Sequence, residues 1–371
     1  MLFYLTNSLI VKDDDSRYSE IHTAINNLAL QTANGHHALI GDIEAITHFR
    51  ETFASDSIVG SLFNKIYQNI AFEVVPPFVN YYVEVVTNAA PIRTEGDKTI
   101  AQVEYNRLIP LETTNKTALV CEFLYDAEFY SFILKWYIKQ LRINVHRAFH
   151  KVDGGGINTH KNIFNELKDD HITLSIVDTD CRYPEDPEKD KSTYGKCKGI
   201  GDGNVLFKLI PLKVHELENL VPLNYVDIEF PNWTTGPERA NHERRKKAFD
   251  YLKKEAENIL PYFDFKKGII KNEEYRKSPK LQSFAKMCYQ QNDEFMATQP
   301  DFDKFVDSLQ DKEKIYPELI GGTGTINLVL NLINRGNVPD PILYNFQKRN
   351  WEIIGQGMLN WCIARTPEAI H

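Results

Sequence analysis

The stretch from residue 117 to residue 210 constrains the fold more tightly than any other part of the chain. Thr117-Ala-Leu-Val-Cys121 is a short apolar run without polar alternation, the pattern of a strand covered on both faces. Residues 126–142 then carry Phe129, Phe132, Ile133, Trp136, Tyr137 and Leu141 at helical spacing. A second strand is expected over 144–152, ended by Gly154-Gly155-Gly156, with a helix near 158–168. Ile172-Thr-Leu-Ser-Ile-Val177 gives a third strand, and a polar loop from Cys181 to Asn204 leads to a fourth at 205–210. This β-α-β-α-β order implies a parallel sheet with helices on its faces.

The flanks differ in texture. Residues 1–112 look α/β, with strands expected at 2–11, 37–40 and 81–86, a helix over 18–33, and a loop over 89–98. The apolar start lacks a basic leader, so a strand is expected there rather than a signal peptide. Residues 231–371 look mainly helical, with helices expected over 239–259, 279–292, 301–310, 325–334 and 346–362. Three regions are therefore expected: 1–112, 113–230 and 231–371. Hydrophobic residues make up 42% and charged residues 25%, which excludes a wholly disordered chain. No apolar run reaches the ~18 residues that a membrane span needs. Five scattered cysteines without a CxxC pair suggest free thiols and a cytoplasmic setting. A net charge of −8 excludes coating of nucleic acid by charge alone, but not a local basic patch.

In an open parallel sheet, ligands sit beyond the carboxyl ends of the strands. Glu122 follows the first of these strands, with Asp126 four residues on. Asp153 and the three glycines follow the second, and Asp178-Thr-Asp180 follows the third. Carboxylates gathered in a partly dry site repel one another, and a divalent cation relieves that. Oxygen-only ligands favour Mg²⁺, with Mn²⁺ as the substitute, over zinc. Asp126 could equally cap the helix it opens, and the glycines could simply make the tight strand-to-helix turn.

An acid after one strand, glycines after the next and an Asp-x-Asp after the third resemble the Toprim fold of topoisomerases, primases and OLD-type nucleases. Glu122-Phe-Leu-Tyr-Asp126 is similar to the Glu-Gly-x-x-Asp motif of the nuclease branch, with Phe123 in place of the glycine. Glu216-Leu-Glu218-Asn219 is similar to a Glu-Asn pair in Toprim nucleases of anti-phage defence, and the pattern from Trp351 through Gly355 to Trp361 resembles the tails of such proteins. The resemblance covers about residues 116–225. It implies a metal-dependent nuclease in which Glu122, Asp126, Asp178 and Asp180 hold metal and carry catalysis, with Glu218 as a further ligand. It also implies nucleic acid as substrate and an ATPase partner that holds an anti-phage effector inactive. A non-catalytic Toprim scaffold that binds a partner or nucleic acid is the alternative.

Basic residues cluster in two places. Arg239, Arg244, Arg245, Lys246, Lys247, Lys253 and Lys254 lie on one charged stretch, interleaved with glutamates. They suit either a solvated helix face with i,i+4 pairs or a face that tracks phosphates. Arg182, Lys189, Lys191, Lys196 and Lys198 lie on the loop after Asp-x-Asp and could contact nucleic acid from the other side. Gly199-Ile-Gly201-Asp-Gly203 and Gly321-Gly-Thr-Gly324 lack the lysine of a phosphate loop. His146 and His150 lack the glutamate of a zinc helix, and Asp42 and Glu44 read as surface acids.

Overall fold

The structure, a computed structural model, describes residues 1–69, 75–186, 190–225, 237–319, 325–336 and 338–367. The chain is α/β and divides into two compact units. The first comprises Met1–Ile176, Cys197–Ile210 and Ile353–His371; the second comprises Val177–Lys196 and Pro211–Glu352. Residues on both sides of position 112 fall in the first unit. The expected boundary at 230 and 231, Lys189 and the glycines at 321, 322 and 324 lie outside the described residues.

The first unit contains a five-stranded sheet made of β1 (Leu2–Leu5), β2 (Ala38–Gly41), β3 (Tyr81–Val86), β4 (Arg93–Glu95) and β5 (Lys98–Glu104). Its order is β2-β1-β3-β5-β4, parallel except for the β4–β5 pair. The helix Tyr18–Ala33 (α1) matches its expected span, and the helices Ile43–Thr52 (α2) and Val59–Gln68 (α3) follow β2. The first strand is shorter than expected, because after Leu5 the chain turns into a short 3₁₀ segment, Asn7–Leu9. Asn7 N–H donates to Asp42 Oδ2 at 2.8 Å, and Thr6 Oγ1 donates to the Val85 carbonyl at 2.9 Å, which replaces the strand ladder. The expected loop at 89–98 contains β4, turned back onto β5 through Gly96 at φ +61°. A Gly-Asp pair between two strands is a hairpin signal.

Glu84 is buried in the middle of β3 and needs a partner. Arg93 supplies two hydrogen bonds, at 2.9 and 2.6 Å, and Gln102 a third at 2.8 Å. Burial pushes this carboxyl up, but the bonds from Arg93 and Gln102 outweigh it and hold its pKa below the usual glutamate value.

The second sheet has the order β10-β9-β6-β8, made of β6 (Thr117–Cys121), β8 (Phe149–Asp153), β9 (Thr173–Val177) and β10 (Phe207–Pro211). β6 is parallel to both β8 and β9. Every residue of β6 and β9 is buried, as in a strand covered on both faces, and the buried hydroxyls of Thr117, Thr173 and Ser175 donate to the Trp361, His171 and Val120 carbonyls. The expected strand over 144–152 is split in two. β7 (His146–Arg147) pairs antiparallel with β13 (Ile363–Ala364), and β8 joins β6. Ala148 is the crossover, its N–H donating to the Cys362 carbonyl at 2.8 Å.

Helix α4 (Leu124–Leu141) packs on this sheet with Phe129, Tyr130, Ile133 and Leu134 buried. The last part of the helix Asn345–Cys362 also lies in this unit. There Gly355 and Gly357 allow close approach: a Cβ on Gly355 would come within 2.5 Å of Tyr137, and one on Gly357 would collide with Ile210.

In the second unit, the described residues after 236 are mainly helical, as expected, and they include a two-stranded sheet formed by β11 (Ile269–Ile270) and β12 (Lys314–Tyr316). The expected helix over 239–259 is the helix Pro237–Leu252 followed by two short turns. Among the described residues no helix is long and apolar enough to cross a membrane.

The Gly355 contact yields a direct test. Gly355→Ala should overpack the Tyr137 contact and cost about 1–3 kcal/mol. Thermal melting should show a drop of several degrees, and an unchanged midpoint would contradict this packing.

Candidate metal centre

In the first unit, the end of β6 is wrapped by the glycine turn. Gly154 N–H donates to the Cys121 carbonyl at 2.7 Å, and Gly156 N–H donates to the Glu122 carbonyl at 3.0 Å. Gly155 and Gly156 have φ of +69° and +59°, backbone that favours glycine. A Cβ on Gly154 would collide with the Cys121 carbonyl and Thr159. Asp126 is buried in the first turn of α4, and its Oδ2 accepts from Phe123 N–H at 3.0 Å. That oxygen therefore serves the start of the helix. Phe123, the residue after Glu122, is exposed and stacks on Tyr125.

In the second unit, the loop after β9 is stitched to the chain that leaves β10. Thr179 Oγ1 lies 3.0 Å from both the Leu212 and Val214 carbonyls. Asp180 adopts φ +57°, and its N–H donates to the His215 carbonyl at 3.1 Å. Asp178 and Asp180 thus sit on a loop bonded to the segment that carries His215, Glu216 and Glu218. The next turn, Leu217–Leu220, is buried throughout. Asn219 fixes it: Oδ1 accepts from Glu216 N–H at 2.9 Å, and Nδ2 donates to the Leu260 and Phe263 carbonyls at 2.6 and 2.9 Å. Asp264 and Lys266 follow immediately.

The result is a buried group in which ligand atoms of His215, Glu216 and Asp264 all lie within 4.8 Å of one another. His215 Nδ1 faces the Cys181 carbonyl at 3.1 Å. A carbonyl only accepts, so Nδ1 carries a proton and Nε2 is left for the centre. Nε2 lies 3.5 Å from Asp264 Oδ2. Either a proton on Nε2 or a metal cation makes that approach attractive, since a bare lone pair would face a carboxylate. Burial disfavours charge on Asp264, but the hydrogen bond and charge of His215 and the Lys267 N–H outweigh it, holding its pKa down at about 2.

Glu216 has the opposite character. Burial, and then the charge of Glu218, push its carboxyl up to about 7. Its Oε2 lies 3.1 Å from Lys266 Nζ, which also reaches Glu218 Oε1 at 2.8 Å. Its Oε1 is buried and has no hydrogen-bond partner. Burial opposes the charge of Lys266, but Glu218 and Glu216 overcome it and raise its pKa. The donor set therefore fits a divalent cation: one imidazole nitrogen, one ionised Asp264 and one orphaned Glu216 oxygen. Glu218 is tied to Lys266 rather than counted in this group.

A small cavity of about 90 Å³ adjoins Asp264, and its wall includes Arg182, Tyr262, Lys267, Asn272 and Phe284. Arg182 Nε is buried without a partner, while Nη1 pairs with Glu274 at 2.5 Å. Lys196 lies in the short helix Thr193–Cys197 of the polar loop, with exposed Lys198 just beyond it. The basic stretch that spans the helix Pro237–Leu252 and the turn Lys253–Glu255 is partly matched by acids. Arg245 pairs with Glu318, Lys247 with Glu294 at 3.4 Å, and Lys254 with Asp293 at 2.8 Å. Arg244 and Lys246 are exposed on the same helix. These ion pairs leave this face less free positive charge than the residue count suggests.

His215, Asp264 and Lys266 were missed by motif reasoning. The signal for Asp264 was an acid inside the apolar stretch Leu260-Pro-Tyr-Phe-Asp-Phe, which if buried must have partners.

The raised Glu216 predicts a pH signature. Its folded pKa of about 7 exceeds the reference 4.5, so ionised Glu216 destabilises the fold above about pH 7, and this cost vanishes below about pH 4.5. In buffer with chelator, Glu216→Gln should melt higher than wild type at pH 8, about 3 kcal/mol more stable. The gap should close as pH falls through 7 towards 4.5. A gap independent of pH would refute the burial of this carboxylate. No family model, curated protein or solved structure matches this chain.

Proposed function

We propose that the chain is a divalent-metal-dependent phosphodiester hydrolase, a nuclease, centred on His215, Glu216 and Asp264. The observation that carries this reading is the buried imidazole–carboxylate group with an unpartnered Glu216 oxygen. The imidazole moves the expected cation from Mg²⁺ towards Mn²⁺. A bound cation of this kind lowers the pKa of a coordinated water and offsets charge on a phosphate.

The protein's own groups have separable tasks. Cys181, through its carbonyl, orients the His215 ring. Lys266 offsets the charge of Glu216 and Glu218. Arg182 and Lys267, beside the Asp264 cavity, give a phosphodiester cationic partners. Asp178 and Asp180 stand on the loop hydrogen-bonded to His215 and belong to the same proposal, as does Glu218. Glu122 and Asp126, in the first unit, are carried by the Toprim resemblance and are tested separately. The resemblance also supplies the wider reading of an anti-phage effector held by an ATPase partner. The alternative, a scaffold without catalysis, is favoured by Lys266, which already neutralises part of the acid group.

The test is cleavage of DNA and RNA by the full chain with Mg²⁺ or Mn²⁺, beside Mn²⁺ titration calorimetry. Asp264→Asn and Glu216→Gln should each lose about 100-fold or more, beyond the roughly 10–100-fold typical of outer-shell partners. Both should fold and bind Mn²⁺ more weakly. Asp178→Ala and Glu122→Gln in the same assay assign the remaining acids. Wild-type rates in Asp264→Asn would remove this centre from the chemistry. A wild type that neither cleaves nor binds Mn²⁺ would leave the scaffold.

A further inference from the structure

The first unit holds a second, chemically opposite feature. A cavity of about 500 Å³ opens beside the amino-terminal ends of β6 and β8, and its lining includes Lys116, Lys135, His146, Arg147 and Lys151 but no acid. The fold explains the convergence. Lys116 immediately precedes β6, and the register sets Thr117 beside Phe149. Phe149 and Lys151 lie two apart on β8 and so share a face. Ser131, Leu134 and Lys135 recur on α4 at i, i+3 and i+4 and line the same space. Arg147 is held by β7, whose pairing with Ile363 fixes its backbone.

This positive charge is largely unspent. Lys151 pairs with the exposed Glu128 at 3.3 Å. Among the described residues, no carboxylate is ion-paired with Lys116, Lys135 or Arg147. In a chain of net charge −8, such a concentration is a local exception. Buried Leu134 and half-buried Phe149 add apolar surface to the same cavity. Its volume lies in the range of small-ligand sites, roughly 300–1,000 Å³, larger than a lone phosphate requires.

From this we infer that the cavity binds a small polyphosphorylated organic ligand of nucleotide size, its phosphates on Lys116, Lys135 and Arg147 and its apolar part against Phe149 and Leu134. The site lies at the opposite end of β6 from Glu122 and the glycine turn. It is independent of the metal centre.

The experiment is titration calorimetry and thermal shift of the full chain with EDTA present, so that it stands apart from any nuclease result. The probes are inorganic phosphate, pyrophosphate, ATP, GTP, a dinucleotide and a single-stranded dodecanucleotide. At least one nucleotide should bind one-to-one, at least tenfold more tightly than inorganic phosphate, and weaken with salt. The double variant Lys135→Glu/Arg147→Glu should lose tenfold or more in affinity with an unchanged ligand-free melting temperature, whereas Lys304→Glu should bind as wild type. Should the double variant fail to fold, Lys135→Gln and Arg147→Gln singly should each weaken binding. No nucleotide binding at millimolar concentration, binding unaffected by the variants, or tighter binding of the oligonucleotide than of every small probe would each overturn the inference.

Discussion

The carboxamide of Asn219 is the interaction on which the second unit's site depends. It accepts one backbone N–H from Glu216 and donates to two carbonyls, those of Leu260 and Phe263. Those bonds tie the turn carrying Glu216 and Glu218 to the segment carrying Asp264 and Lys266. The carbonyls of the same turn are taken from the other side: Gln347 Nε2 donates to Asn219 and Val221, and Trp351 Nε1 to Leu220. A turn with so many buried backbone groups satisfied by side chains is rigid for the same reason that it is costly to break.

That arrangement shows what the sequence could and could not reveal. Periodicity located the elements well, because helix and strand spacing are local properties. The span of α1 and the start of β6 both follow from the pattern of apolar residues alone. Two departures came from partners distant in the chain. β1 stops at Leu5 because Asp42 and Val85 capture the next residues, and the strand near Ala148 splits because Cys362 takes its N–H. None of these partners can be identified by looking along a short window.

None of Glu122, Asp126, Asp178, Asp180 and Glu218, the acids that the motifs single out as ligands, belongs to the group of His215, Glu216 and Asp264. Strand-end position drew attention to Asp178 and Asp180, and the segment around Glu218 was marked by its Glu-Asn pair. The structure adds that Asn219 and Trp351 in those patterns serve hydrogen bonds within the fold. Asp264 is invisible to motif matching because nothing in its neighbourhood resembles a signature. Its significance arises from burial beside His215, a pairing across nearly fifty residues that only tertiary structure creates. The sequence of the basic stretch suits a solvated helix face or a phosphate-tracking one, and Glu294 and Asp293 on the helix Asp293–Thr298, with Glu318 just beyond β12, pair with Lys247, Lys254 and Arg245.

Lys266 has a consequence for the life history of the molecule. Its ammonium sits between Glu216 and Glu218, so part of the charge of the acid group is offset from within the chain. A cluster without such an internal counter-ion must recruit a cation while it folds, or remain strained until one arrives. Here the metal-free chain already carries part of the compensating charge in Lys266. On the proposed reading, a cation that binds the folded chain also raises its stability, so loading and folding stay linked.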